Sequence, residues 1–142
     1  MVEATNTGIN LKGMAPLLQV FDMPASLHFY RDILGFEVIS LSNDAEGDKA
    51  YWAWLKHSGI EVMLNEMYER DQRPAEPGAQ RTAAHYDTSI YFGCPNVEAT
   101  YEYLTGKGLT LKKPFITGYN FKALYVTDPD GYLLVFHWPV QQ

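Results

Sequence analysis

The predicted order of strands and helices restricts the fold most strongly, because the same order occurs twice along the chain. Each half predicts one strand, one helix and three further strands. When the second half is laid over the first, Asn96 falls on Asp22 and the turn residue Gly131 falls on Gly59. Few residues are identical between the halves, so we infer two βαβββ modules from the shared order and spacing. The predicted divisions are a tail at 1–13, a first module at 14–66, a linker at 67–86 and a second module at 87–140.

Both predicted helices have recognisable ends. The first runs from Pro24 to Leu34, with Asp22 as its cap and Gly35 as its stop. The second runs from 97 to 105, behind a cap at Asn96. The linker is rich in Pro, Gly, Arg and Glu without a sustained period, so it predicts no regular structure. The predicted strands cover 16–21, 36–41, 49–55, 60–65, 88–93, 109–115, 122–126 and 132–138.

Charge and cysteine content argue against several classes of function. The 11 basic and 17 acidic residues give a formal net charge of -6, which disfavours binding to nucleic acid or to an anionic membrane. The single cysteine, Cys94, leaves no internal disulfide and favours a reducing compartment. No stretch approaches the length of a membrane span, and residues 1–10 lack the pattern of a signal peptide. These features predict a cytoplasmic protein.

The turns of the hairpins decide which side chains share a face of the sheet. If Asp128 to Gly131 form the whole loop of the last hairpin, Thr127 lies opposite Tyr132. That register predicts Tyr125, Tyr132, Leu134 and Phe136 on the helix side, and Leu124, Val126, Leu133, Val135 and His137 on the open side. The first half predicts Ala53, Leu55, Ile60, Val62 and Leu64 on the helix side, and Trp52, Trp54, Glu61 and Met63 on the open side. Two tryptophans and a carboxylate on an open face indicate a concave site or an interface.

Three segments of the chain resemble one protein family. They are residues 20–36, which include Phe29-Tyr30-Arg31-Asp32, then residues 96–99, and the turn 128–132. In this order they look like the vicinal oxygen chelate superfamily, which contains glyoxalase I, extradiol dioxygenases, fosfomycin-resistance enzymes and bleomycin-resistance proteins. The resemblance covers nearly all of 14–139. It implies an α+β fold in which two βαβββ modules form a curved mixed sheet with an open cup and helices on the outer face.

The resemblance also implies where the enzymes of this superfamily hold a divalent metal. The four corresponding positions in this chain are Ala15, Met63, Ser89 and Val135. Alanine and valine offer no lone pair, a thioether is a poor ligand for a hard cation, and one serine cannot hold a metal alone. The chain is therefore most similar to the metal-free bleomycin-resistance branch, and no metal or other cofactor is predicted.

The predicted ligand-binding residues lie on the open face or in a loop beside it. Trp52 and Trp54 are the preferred contacts, because a rigid ring can stack on a planar ligand or attract a cation. Burial at a module junction or a dimer interface is the alternative for this pair. Phe115, Tyr119 and Phe121 flank Gly118 and would form an aromatic lid. The predicted set is Gln19, Trp52, Trp54, Glu61, Met63, Ser89, Tyr91, Phe115, Tyr119, Phe121, Val135 and His137.

These features predict a protein that sequesters an amphipathic or aromatic small molecule, cationic ones included, without a metal and without a catalytic residue. The resemblance to the superfamily implies that it is a homodimer. One alternative is a metalloenzyme of the glyoxalase or dioxygenase type. Its non-standard site would use Glu61 and His137 with His85 or Asp87. Another alternative is a structural or regulatory module whose cup contacts a protein. Neither nucleic acid nor a membrane is a predicted partner.

Overall fold

A computed structural model describes residues 8–42 and 49–141. Its strands are β1 (Leu17–Val20), β2 (Glu37–Leu41), β3 (Trp52–His57), β4 (Ile60–Glu66), β5 (Ser89–Gly93), β6 (Phe115–Ile116), β7 (Phe121–Thr127) and β8 (Leu133–Pro139). Its helices are α1 (Met23–Leu27, continued by a π-helical turn at His28–Ile33), α2 (Ala79–His85) and α3 (Val97–Gly106), with a short 3-10 turn at Arg70–Gln72.

The strands form two open, four-stranded mixed sheets. The first has the order β1-β4-β3-β2 and the second has the order β5-β8-β7-β6. The β1–β4 and β5–β8 pairs are parallel, and the remaining pairs are antiparallel. The predicted α+β class and the two βαβββ modules are confirmed.

The repeat is also visible in the helix caps. The Asp22 side chain accepts a hydrogen bond from the Ala25 N–H at 3.2 Å, and the Asn96 side chain accepts one from the Ala99 N–H at 3.1 Å. Each cap satisfies a backbone donor that the first turn of a helix would otherwise leave unpaired. Asp22 and Asn96 are the pair that the sequence repeat lays over each other, so the caps agree with the predicted modules.

Two predicted segments differ from the structure. The strand predicted at 109–115 forms ladder pairs only in Phe115–Ile116, because Leu109 and Leu111 pack against the core instead and Pro114 has no N–H to donate. The linker contains α2, although no regular structure was predicted there. No residue of α2 is buried, so its sequence carries no apolar stripe that would reveal a helix.

The last hairpin has a shorter loop than predicted, and this reverses the facing of β7. Thr127 lies opposite Leu133, and the Asp128 N–H donates to the Tyr132 carbonyl at 3.0 Å, which leaves a loop of Pro129 to Gly131. A shift of one residue moves every side chain of a strand to the other face. The predicted grouping of Leu124 and Val126 with Val135 and His137 was therefore wrong. Leu124 and Val126 share the helix side with Leu134 and Phe136, whereas Tyr125 lies on the open side with Leu133, Val135 and His137.

The hairpin of the first module has the predicted facing. Ser58 and Gly59 form a two-residue turn with φ values of 49° and 87°. Trp54 lies opposite Met63 on the open side, and Leu55 lies opposite Val62 on the buried side. Ile60 shares the buried side but remains exposed at the hairpin tip.

One hydrophobic core joins the two modules on the helix side. It combines Val20, Tyr30 and Leu64 of the first module with Leu124 and Leu134 of the second. None of the helices in the described ranges has the length and apolar character that a bilayer crossing requires.

Candidate ligand-binding site

An exposed group of aromatic side chains covers the open side of the second sheet. Tyr91 and Tyr125 flank Val135 in neighbouring strands, so their rings project from the same face. Phe115 pairs with Ala123 in the next row, on the same face. We call this group the aromatic layer, and its members are Tyr91, Phe115, Tyr119, Phe121, Tyr125 and His137.

The rings of the aromatic layer contact one another. His137 stacks on Phe121 with centroids 4.9 Å apart and meets Tyr91 edge to face, also at 4.9 Å. Tyr119 lies 5.4 Å from Phe121. The edge-to-face and offset arrangements suit the charge distribution of aromatic rings. The layer is thus held together by its own contacts.

A second pair of rings, Phe115 and Tyr125, meets edge to face at 5.2 Å. Tyr125 was not predicted as a site residue, because the slipped register had placed it on the helix side. A glycine at the end of a three-residue loop, which Gly131 provides, is the sequence signal that could have found it.

Small apolar residues form the floor beneath the aromatic layer. Ala123 and Val135 are fully buried and Leu133 is 7% exposed, although no strand of the described ranges covers this side of the sheet. The rings above them remain open on their outer sides, with Tyr91 50% and Tyr119 57% exposed. The side chains of the layer therefore bury the floor and offer an exposed aromatic surface for contact.

The Tyr91 hydroxyl is neutral within the layer. Burial raises the pKa of the Tyr91 hydroxyl, and the neighbouring Tyr119 and Tyr125 raise it further. The Tyr91 and Tyr119 hydroxyls lie near each other. A neutral phenol both donates and accepts hydrogen bonds, so this surface combines apolar ring faces with polar edges.

His137 provides a buried polar atom in the layer. Its Nδ1 is buried and has no hydrogen-bond partner within 8–42 and 49–141. Its ring is held between Phe121 and Tyr91, and its backbone carbonyl accepts a hydrogen bond from the Cys94 N–H at 2.9 Å. Most buried polar atoms in proteins are paired, so this nitrogen is a candidate for a hydrogen bond from a ligand.

The open side of the first sheet presents a different surface, which we call the tryptophan face. Trp54 donates from Nε1 to Glu61 at 2.8 Å, which fixes the indole ring and the carboxylate together. Gln19 accepts from the Asn65 amide at 3.1 Å. Asn65 was missed by the sequence reasoning. The members of this face are Gln19, Trp52, Trp54, Glu61, Met63 and Asn65.

The predicted site residues thus fall into two groups on two sheets. Gln19, Trp52, Trp54, Glu61 and Met63 lie on the tryptophan face, while Ser89 and Val135 lie on the open side of the second sheet beside the aromatic layer. The remaining predicted residues, Tyr91, Phe115, Tyr119, Phe121 and His137, are members of the aromatic layer itself.

The four positions implied for a metal carry unsuitable side chains on the open sides of the sheets. Met63 lies opposite Leu17, and Val135 lies opposite Tyr91, which is the equivalent pair in the second module. Val135 is fully buried and has no donor atom. With Ala15 and Ser89 at the remaining two positions, this set does not fit a divalent cation.

The alternative metal set is not assembled in one chain. Glu61 is bonded to Trp54, and His85 lies 2.7 Å from the Asp130 carbonyl and stacks on Tyr132. Across the described ranges, no three His, Cys, Asp or Glu side chains are grouped closely enough to hold a metal ion. Within a single chain, the described residues do not form the arrangement of Glu61 and His137 with His85 or Asp87.

Comparison with known proteins assigns the family. Residues 14–136 match the Glyoxalase/Bleomycin resistance protein/Dioxygenase superfamily, and the chain belongs to it. A comparison with curated protein sequences found no match.

Solved structures share this fold. TioX from Micromonospora sp. ML1 is 15% identical with a TM-score of 0.69, and the match covers 91% of this chain and 99% of that one. TnmS3, an antibiotic binding protein from Streptomyces sp. CB03234, is 16% identical with a TM-score of 0.65 over 94% of this chain and 100% of that one. Integron cassette protein HFX_CASS4, from the mobile metagenome of Halifax Harbour Sewage Outfall, is 25% identical with a TM-score of 0.62 over 89% and 98%.

Proposed function

We propose that this chain is a small-molecule-binding protein that holds an amphipathic or aromatic ligand against the aromatic layer. The observation that carries the proposal is a set of mutually packed rings whose outer sides are open to solvent. A contiguous exposed aromatic surface is unusual on a soluble domain unless it binds something. Rigid rings also lose little conformational entropy on binding, which favours affinity.

The chemistry of the layer indicates the kind of ligand. The ring faces suit a planar or cationic group, and the tyrosine hydroxyls suit a polar substituent. The solved structure of TnmS3, an antibiotic binding protein of the same fold, supports a role in sequestration by analogy.

We further propose that binding is independent of a metal. The side chains at Ala15, Met63, Ser89 and Val135 supply no ligand set for a divalent cation. Burial against the rings and a few hydrogen bonds are sufficient for affinity, and no turnover is required.

The proposal includes a homodimer, as the resemblance to this superfamily implies. In it, the tryptophan face of one copy would complete the site of the other, with Trp54 and Glu61 opposite the aromatic layer. Glu61 would then attract the cationic part of a ligand. Trp52→Ala/Trp54→Ala should lower affinity for the ligand. If the double variant lost oligomerisation but kept ligand binding, the tryptophan face would be only an interaction surface.

The main test is a calorimetric titration with a panel of planar and cationic antibiotics, with and without EDTA. We expect saturable binding of at least one compound that EDTA does not change. Tyr125→Ala should weaken that binding about tenfold or more, which corresponds to roughly 1.4 kcal/mol. Tyr86→Ala is the matched control, because Tyr86 is 51% exposed at the end of α2 and lies outside the layer.

Two results would contradict the proposal. Equal affinity in the Tyr125 and Tyr86 variants would remove the aromatic layer from the site. Loss of binding in EDTA, restored by one equivalent of a divalent metal, would return the chain to the metalloenzymes of the family.

A further inference from the structure

The hairpin turn of the second module lies between the modules, whereas the turn of the first module does not fill the equivalent place. The turn at Pro129 to Gly131 inserts beside the start of α1. There the Asp130 carboxylate accepts from the Phe21 N–H at 2.8 Å and from the Ser26 hydroxyl at 3.3 Å. The second module's turn therefore fills the space beside the first module's helix.

The reciprocal turn, Ser58-Gly59, is one residue shorter and has no carboxylate. A Cβ added at Gly59 would meet nothing within 4 Å, whereas a Cβ at Gly131 would lie 2.6 Å from the Thr82 carbonyl oxygen. The short turn does not fill the space beside α3.

A cleft of about 530 Å³ lies there instead. It lies between the modules, and its walls are mostly apolar. Its volume is within the range of roughly 300 to 1,000 Å³ that is typical of small-molecule sites. The first module contributes Leu34, Phe36 and Ile60, and the second contributes Phe92, Tyr103 and Phe136.

Equivalent residues of the two modules show which polar groups remain in the cleft. Thr100 is the equivalent of Ser26, and its hydroxyl donates to the Asn96 carbonyl at 3.2 Å and lies 3.0 Å from Cys94 Sγ. Leu104 replaces Tyr30, whose hydroxyl donates to Asp128 at 2.6 Å in the filled half. The cleft therefore keeps one hydroxyl group, which donates to its own helix, and has an apolar side chain in place of the other.

We propose that this cleft is a second binding site, separate from the aromatic layer, for a compact apolar molecule that carries one hydrogen-bond acceptor such as a carboxylate, sulfonate or carbonyl. The molecule would occupy the place that Pro129 to Gly131 occupies in the other half. Its acceptor would lie at Thr100, whose hydroxyl would turn from the Asn96 carbonyl to donate to it, as the Ser26 hydroxyl donates to the Asp130 carboxylate. Its apolar body would contact Phe36, Ile60 and Phe136.

Cys94 makes the cleft directly testable, because it lines the cleft and is the single cysteine of the chain. The rate of its alkylation by iodoacetamide is measured against increasing 8-anilinonaphthalene-1-sulfonate, which is a naphthalene with an acidic acceptor. We expect a saturable decrease in that rate of about fivefold or more, because the bound dye covers the thiol.

Two variants in the cleft and one control variant show where the dye binds when it protects Cys94. Ala99→Leu fills the cleft from an exposed position on α3 and should abolish the dye dependence. Tyr103→Ala removes one wall and should raise the dye concentration for half-protection about fivefold, so the test does not depend on a single variant. Tyr125→Ala, in the aromatic layer, should leave the protection unchanged.

The proposal is overturned if the dye binds, as its fluorescence reports, without slowing alkylation of Cys94. It is also overturned if Tyr125→Ala removes the protection while Ala99→Leu retains it, because the dye would then occupy the aromatic layer. Either result leaves the proposed function of the aromatic layer intact.

Discussion

The β3–β4 hairpin ends in solvent, whereas the β7–β8 hairpin carries its turn into the contact between the modules. The two loops differ by one residue in length. At the longer loop, Asp128, which closes it, accepts from the Tyr30 hydroxyl at 2.6 Å, and Asp130 within it accepts from the Phe21 N–H at 2.8 Å. The longer hairpin thus makes a buried polar contact that the Ser58-Gly59 turn does not make.

The added residue also changes the offset in residue number between equivalent positions of the two modules. Met63 lies opposite Trp54, and Val135 lies opposite Tyr125. The offset in residue number between equivalent positions is therefore one smaller for β3 and β7 than for β4 and β8. A tyrosine at the aromatic layer takes the place that Trp54 has on the tryptophan face.

The largest difference between the hairpins is expected at their glycines. Gly59 and Gly131 have nearly equal φ values of 87° and 88°, so alanine should cost about 1 to 2 kcal/mol at both for the left-handed backbone. Only at 131 would the new Cβ collide with the α2 backbone. We expect Gly131→Ala to lower the free energy of unfolding by about 3 kcal/mol or more.

Urea denaturation of both variants measures this difference. Gly59→Ala is the control for backbone strain alone. Equal losses in the two variants would show that α2 does not press against the turn in solution.

A smaller effect is expected from the hydrogen bond of Tyr30. Tyr30→Phe leaves the buried Asp128 carboxylate without one donor, and we expect a loss of about 2 kcal/mol in the free energy of unfolding. Tyr103→Phe, on the exposed side of α3, should change it by less than about 0.5 kcal/mol. If the two variants were equally stable, the contact between the turn and α1 would contribute nothing to stability.

The smallest effect is a dependence of stability on pH. The pKa of Asp130 is raised to about 6, mainly by burial and also by the nearby Asp128, against the lowering effect of the hydrogen bonds from Phe21 and Ser26. An acid with a raised pKa in the folded state binds its proton more tightly there than in the unfolded chain. Its stabilising contribution is complete below its unfolded pKa near 4, and it is lost as the pH rises through about 6.

We therefore expect this group to lower the free energy of unfolding by about 1 kcal/mol between pH 5 and pH 7. Denaturation of the wild type and of Asp130→Asn at several pH values tests the sign. The asparagine variant should lack this component, and a wild type that gains stability relative to the variant as the pH rises would disprove it. The Ser58-Gly59 turn has no titratable group, so no such dependence is expected from it.

Much of the fold could be predicted from local patterns in the sequence. The caps Asp22 and Asn96, the helix lengths and the first hairpin depend on residues close together in the chain. The register of the last hairpin could not be fixed in this way, because Asp128 closes a three-residue loop and is not part of it. The same error hid Tyr125, and α2 was hidden because it buries nothing.

The contacts between the modules could not be predicted from residues that are close together in the chain. Asp128 and Asp130 indicated a turn, but nothing near them showed that Tyr30 and Ser26 would be their partners. The cleft was unpredictable for the same reason, since its walls come from both halves. The aromatic layer was largely predicted, because alternation along β5 and β8 placed Tyr91 and His137 correctly.

Two side chains of the linker, one on each side of its exposed stretch, are bonded to residues where the two modules meet. Arg73 donates to the Phe21 carbonyl at 3.2 Å and pairs with Asp22, and His85 donates to the Asp130 carbonyl at 2.7 Å. Between them, residues 74–78 are exposed and have no regular structure. A protease cut in this stretch would leave two fragments whose ends remain bound to the shared core. The chain is thus suited to division into complementary halves that reassemble without a peptide bond between them.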